Sequence, residues 1–351
     1  MTLLDQTRAA VTPVDRAAAA RAQDRLDRKT KPRGSLGRLE ELACRLAAVY
    51  GTADPLLPAR AVVVMAADHG VAEEGVSAYP QEVTAQMVKN FLTGGAAINV
   101  LARQQGARVV VVDMGTKCPV ALPQVRDGRL GPGTANFVLG PAMSRETAVR
   151  ALEIGIGLAG ELAAEGVGLL GVGDMGIGNT TASSAITAVL TGQTAARVTG
   201  RGTGIDEGRL RRKVDAVERA LRLNRPDPAD PLDVLAKVGG FEIASLAGVI
   251  LGAAAHRVPV LLDGFITGAA ALAAVGLCPA ARDYLVASHR SVEPGHEAVL
   301  AHLGLRPLFD LDLRLGEGTG AVLAMNLAEA ALRILREMTT FEAAGVTDAG
   351  A

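Results

Sequence analysis

The 351-residue sequence has no tryptophan, and aromatic residues make up only 3% of it. It is nevertheless 49% hydrophobic, which excludes a disordered chain and supplies a large core. That core must be built from Ala, Val, Leu and Ile rather than from rings. Cysteine is scarce too. Cys44, Cys118 and Cys278 are odd in number, far apart and form no CxxC pair, so neither a disulfide framework nor a zinc ribbon is indicated. Excess charge is also missing: 36 Lys and Arg against 37 Asp and Glu leave a net charge of −1, without the basic surplus of a nucleic-acid binder. Residues 1–22 lack an apolar signal core; with Asp5, Arg8, Asp15, Arg16 and Arg21 they read as an amphipathic helix. The longest apolar stretch, 264–281, is Ala- and Gly-rich, contains Thr267 and Pro279, and follows Asp263. It reads as a packed helix rather than a membrane span, and a cytoplasmic protein is expected.

What is abundant is a repeated pattern. Apolar runs at 61–67 (AVVVMAA), 107–112 (ARVVVV), 167–172 (VGLLGV) and 258–262 (VPVLL) each lead into a Gly-containing turn and then an Ala-rich helical stretch. Continuous apolar strands alternating with helices predict a three-layer α/β/α fold with a mainly parallel, Rossmann-like sheet. Residues 51–299 are assigned to this large domain. The charged helical ends, 1–50 and 300–351, are expected to pack beside it as a small helical domain. Small polar residues and glycines mark four expected helix starts: Thr93-Gly94-Gly95, Asn179-Thr180-Thr181, Thr267-Gly268 and Gly318-Thr319-Gly320. In such sheets the loops after the strands gather at one edge, where unpaired helix N–H groups suit an anion.

Three partial motifs lie on that edge. Gly171-Val172-Gly173-Asp174-Met175-Gly176 matches GxGxxG, but no carboxylate stands about 20 residues later where a dinucleotide site needs one. Residues 173–180 give GxxxxG followed by Asn179-Thr180, a phosphate loop without its lysine, which argues against a Walker-type nucleotidase. Both readings leave a glycine loop and hydroxyls suited to a monophosphate. The segment VPVLLDGFITGAA (258–270) has the strand, acid and Thr-Gly turn of transferases that use phosphoribosyl pyrophosphate. It lacks their second adjacent acid, since Gly264 follows Asp263. His69, His289 and His296 have neither metal-ligand spacing nor a GxSxG partner and read as structural.

Seven stretches together resemble the nicotinate-nucleotide:dimethylbenzimidazole phosphoribosyltransferase family: KPRGSLGRLEELA (31–43), AADHGVAEEGVSAYPQEVTAQMV (66–88), GVGDMGIGNTTASSAI (171–186), GRGTGIDEGRLRRKV (200–214), LLDGFITGAAALAA (261–274), SHRSVEPGH (288–296) and RLGEGTGAVLA (314–324). They span nearly the whole chain in order. The resemblance implies transfer of a phosphoribosyl group from nicotinate mononucleotide to a benzimidazole nitrogen, with inversion at the anomeric carbon. It assigns the general base to Glu317 of the GEGTG motif, with Asp174 in support. Family members often carry glutamate at Asp174, and direct contact with substrate needs that longer side chain, whereas action through water does not. The phosphate and ribose map to Gly176, Gly178, Asn179, Thr180, Gly202, Lys213, Asp263, Gly264 and Ser291. The incoming base maps to Tyr79, Gln86, Met87, Met175 and Leu315. A neutral pyridine leaves, so no metal or other cofactor is expected; a homodimer is. The alternatives are a magnesium-dependent transferase using phosphoribosyl pyrophosphate, and a nucleotide-binding sensor without turnover.

Overall fold

A computed structural model describes residues 1–56, 59–120 and 122–347. Its centre is a sheet of six parallel strands: β1 (Ala59–Ala67), β2 (Arg108–Gly115), β3 (Arg126–Asp127), β4 (Val167–Met175), β5 (Val260–Leu262) and β6 (Leu285–Ala287). They lie in the order β3-β2-β1-β4-β5-β6, so the winding reverses between β1 and β4. The expected three-layer parallel fold is present. Ligands in such sheets sit outside the strand ends at the reversal.

Every residue of β1 from Ala61 to Ala67 is fully buried, which is why that run shows no polar alternation. Its odd and even residues belong to different cores. Ala61, Val63 and Met65 pack with the helices Arg145–Ala164 and Phe241–Ala255, whereas Val62 and Val64 pack with the helix Thr319–Glu337. Without rings to fill space, helices approach until their backbones touch. A Cβ on Gly155 would lie 1.9 Å from the Ser245 carbonyl oxygen, and one on Gly248 would lie 2.0 Å from that of Leu152.

The terminal segments share the second core. Leu26, Leu42 and Leu46 from the N-terminal helices pack with Leu332 and Leu335, and the helix Thr319–Glu337 lies against β4 and β5. Arginines tie this region to residues 282–307: Arg38 donates to the Arg306 and Pro307 carbonyls, and Arg45 to that of Arg282.

Several local expectations are corrected. The N-terminal stretch forms two helices, Leu3–Ala10 and Arg16–Asp27, with Pro13 in the break between them. Thr267-Gly268 does not open a helix: Phe265–Leu277 starts two residues earlier, and the Thr267 hydroxyl donates back to the Gly264 carbonyl. Gly94 ends the helix Glu82–Thr93 in a left-handed conformation rather than starting the next one. Strands β3 and β6, with two and three residues, are too short to leave a periodic signature. Among the described residues no helix is long and apolar enough to cross a membrane.

Candidate active site

Loops after β1, β4, β5 and β6, together with the turn before the helix Thr319–Glu337, enclose a cleft of about 560 Å³. Most of the residues singled out from the sequence line it: Asp174 and Glu317; Gly176, Gly178, Asn179, Thr180, Gly202, Gly264 and Ser291; Tyr79, Met87, Met175 and Leu315. Three stand elsewhere. Gln86 is exposed on the helix Glu82–Thr93, outside the lining. Lys213 and Asp263 are buried behind the wall.

Lys213 projects from the helix Glu207–Asn224, and its Nζ donates to Thr180 Oγ1 (2.8 Å) and to the Gly200 carbonyl (3.1 Å). Burial of the ammonium lowers its pKa to about 8, with Glu293 pulling the other way. The backbone at Gly202 is left-handed, and a Cβ there would stand 2.9 Å from Thr180 Oγ1 and 3.2 Å from Lys213 Nζ. The glycine therefore keeps open a space above a hydroxyl and a cation. The Gly202 N–H donates to Glu293 Oε1 (2.8 Å), which fixes this loop.

Asp263 braces the neighbouring turn. Its Oδ1 accepts from the Gly320 N–H (2.6 Å) and the Ala321 N–H (3.3 Å), and its Oδ2 from the Gly318 N–H (3.0 Å). It thus complements the start of the helix Thr319–Glu337. Glu317 sits on that turn between Gly316 and Gly318, all three with positive φ. A left-handed conformation costs a residue with a side chain roughly 1–2 kcal/mol, a strain that aims its carboxyl into the cleft. Glu317 Oε2 is buried without a hydrogen-bond partner. Burial raises its pKa, Asp263 adds to the rise, and the Ile98 N–H opposes it.

The Asp174 carboxyl is buried beside this turn and accepts from Asn179 Nδ2 (2.9 Å), while the Asp174 carbonyl receives the Glu317 N–H (3.2 Å). Burial first, and then the charges of Asp263, Glu242 and Glu317, raise its pKa well above the ordinary carboxylate range. Two carboxyls with unequal environments therefore face one cavity, the pattern of an acid–base site. Tyr79 and Leu315, 56% and 57% exposed, line it with Met87 and Met175 as an apolar wall open to solvent.

Sequence reasoning missed Glu293, Arg314, Thr203, His289, Phe265 and Ile266 on the lining. Glu293 had a local signal, an acid immediately before Pro294 at a helix start. Its carboxylate caps nothing there and turns instead to Gly202. Arg314, which donates to the Gly202 carbonyl, is joined to its partner only by the fold.

A doubly wound parallel sheet with a nucleotide-sized cleft at its reversal, a buried lysine beneath it and two carboxyls along it defines an enzyme that handles a sugar phosphate. Residues 11–346 match the sequence model of a phosphoribosyltransferase family. The chain is 61% identical over 348 residues to the nicotinate-nucleotide–dimethylbenzimidazole phosphoribosyltransferase of Roseiflexus sp. strain RS-1, covering 99% of both chains. It is 57% identical over 347 residues to the enzyme of the same name from Geobacter metallireducens, covering 99% of this chain and 98% of that one. The crystal structure of the Thermus thermophilus enzyme superposes with a TM-score of 0.90 at 52% identity, covering 95% of this chain and 99% of that one. The chain belongs to the nicotinate-nucleotide–dimethylbenzimidazole phosphoribosyltransferase family and is a phosphoribosyltransferase.

Proposed function

We propose that this enzyme transfers the phosphoribosyl group of nicotinate mononucleotide to 5,6-dimethylbenzimidazole or a related base. The products are α-ribazole 5′-phosphate, for the lower ligand of cobalamin, and nicotinate. One imidazole nitrogen forms a bond to the anomeric carbon as the bond to the pyridinium breaks. The electron pair of that bond leaves with nicotinate, whose ring nitrogen becomes neutral, and the proton of the other imidazole nitrogen passes to Glu317. Carbon attacked on one face while the leaving group departs from the other is inverted, and the oxocarbenium character of such a transition state resembles glycoside cleavage.

The observation that carries this reading is one cleft lined both by Thr180, with the Lys213 ammonium hydrogen-bonded behind it, and by the strained Glu317, whose Oε2 has no partner. The 5′-phosphate takes the space above Gly202, Thr180 and Lys213, with the helix start at Gly178 and Asn179 beside it. The new base lies against Tyr79, Met87, Met175 and Leu315. The raised pKa of Asp174 limits the negative charge that Glu317 meets as it ionises. Asp263 serves the ribose indirectly, by holding the turn that carries Glu317. A cytoplasmic homodimer is part of the same proposal and is supported by the family likeness; light scattering reads its mass.

Incubation of the enzyme and the benzimidazole with nicotinate mononucleotide, in the presence of a chelator, is expected to release nicotinate and form the α-nucleotide. Turnover only with phosphoribosyl pyrophosphate and magnesium overturns the proposal. So does tight mononucleotide binding with no nicotinate released.

A further inference from the structure

His69 and Glu242 are fully buried behind the cleft, and no step above uses either. His69 follows β1, and Glu242 stands in the first turn of the helix Phe241–Ala255. His69 Nε2 and Glu242 Oε1 are 2.7 Å apart, while His69 Nδ1 and Glu242 Oε2 are buried with no hydrogen-bond partner. A buried ion pair is often a poorer stabilising element than apolar side chains of the same size. Its place in the fold suggests why it is there.

Three glycine positions crowd around the pair. A Cβ on Gly240 would lie 2.4 Å from His69 Cε1 and 2.7 Å from Glu242 Oε2. One on Gly178 would lie 3.2 Å from His69 Cβ, and one on Gly176 would lie 3.4 Å from His69 Nε2. The imidazole is therefore the floor of the turn 176–178, whose other side lines the cleft. Thr84 holds the same turn: its hydroxyl accepts from the Ile177 N–H (3.1 Å) and donates to Asp68 Oδ1 (2.6 Å). Glu242 is also one of the carboxylates that raise the Asp174 pKa, after burial and Asp263.

We propose that His69 and Glu242 are positioning residues for the transfer: the pair props the turn 176–178 in its phosphate-binding shape. The groups facing Asp174 are Asp263 at the end of β5, Glu317 before the last long helix, Glu242, and the Asn179 amide. Those acting on the pair include Asp68 and Asp174.

The inference rests on the mononucleotide reading, so nicotinate release by the wild-type enzyme is measured first; an inactive wild type sinks that reading and not the pair. Glu242→Gln keeps the shape of the side chain and removes its charge. Asp174 then loses its proton at lower pH, and the alkaline limb of the kcat profile at saturating mononucleotide moves to lower pH, with Glu242→Asp restoring it. His69→Gln is expected to raise KM for nicotinate mononucleotide on the order of tenfold, with a smaller change for the benzimidazole. A pair that only packs gives a different outcome: lower Tm in both variants, an unmoved alkaline limb and equal changes in the two KM values. That result overturns the proposal. If one variant fails to fold, the other still decides, by the limb for Glu242→Gln or by the KM ratio for His69→Gln.

Discussion

Two turns of this chain look alike as sequence. Gly176-Ile177-Gly178-Asn179-Thr180 and Gly316-Glu317-Gly318-Thr319-Gly320 each open a helix, each with a left-handed glycine at the N-cap and no side-chain cap of its own. The difference lies in what the fold brings to the first amides. At the second turn the Asp263 carboxylate takes the N–H groups of Gly318, Gly320 and Ala321. At the first, among the described residues, no carboxylate does so. The first turn remains available to an anion, with Lys213 and Thr180 close at hand. The second is already neutralised, and there a negative neighbour helps to lift Glu317 toward the pKa that a base needs. Similar turns thus acquire opposite electrostatic jobs from a third residue on another strand.

If that division of labour is right, the largest effect comes from the second turn. Glu317→Ala is expected to lower kcat by about 10²–10⁴-fold, the usual contribution of a positioned base, while nicotinate mononucleotide still binds. Steady-state kinetics with both substrates check this, and near-normal turnover in a folded variant refutes the assignment. The first turn predicts the complementary loss. Lys213→Ala is expected to raise KM for the mononucleotide by roughly 10–100-fold, the range of a hydrogen bond to a charged group, with far less effect on the nucleoside lacking phosphate. In the wild type, KM for the mononucleotide should climb as pH rises through about 8, where the buried ammonium loses its proton. Equal weakening of nucleotide and nucleoside breaks the comparison.

How much of this was legible in advance follows the range of each interaction. The unbroken apolar run of β1 and its neighbours announced a covered parallel sheet, because burial on both faces leaves its mark within the segment itself. Glycine-framed turns announced the helix starts at Asn179 and Thr319 for the same local reason, but misplaced those expected at Gly94 and Thr267. The tiny strands β3 and β6 left no such mark. Nor did the occupant of each turn: Asp263 and Gly320 are 57 residues apart in sequence, and Lys213 reaches Thr180 across 33. Residue type suggested that these groups matter, but only the fold says that Asp263 braces rather than lines the cleft. The pairing of Glu293 with Gly202, 91 residues away, was invisible for the same reason.

A third prediction sharpens the comparison at its cause. Asp263→Asn leaves one weaker acceptor where a carboxylate met three backbone N–H groups. Loss of this charged cap is expected to destabilise the protein by about 1–3 kcal/mol, read by chemical denaturation. Because Asp263 is among the charges that raise Glu317, its neutralisation lowers the Glu317 pKa, and the acid limb of kcat/KM should move to lower pH. Destabilisation with a stationary acid limb would leave Asp263 a cap and nothing more.

The smallest effect is expected at Asp174, and it concerns stability. Burial and the facing carboxylates raise its pKa in the folded enzyme, whereas the unfolded chain releases that proton at the ordinary value of 3.8. Between that value and the raised native one, the native state binds the extra proton, so this group makes stability fall as pH rises through the window. Asp174→Asn cannot ionise and keeps a polar partner for Asn179. Well below the unfolded value of 3.8 the variant and the wild type should melt together, since the carboxyl is then protonated in both states. As pH rises the wild type should lose ground, with each kcal/mol of difference worth at most about 2–4 °C in Tm for a chain of this size. The same substitution keeps the position beside Glu317 uncharged, so greater stability at pH 8 should come with little change in kcat. A Tm difference independent of pH would mean that Asp174 is already ionised in the native cleft, and the two turns would then face each other across a different balance of charge.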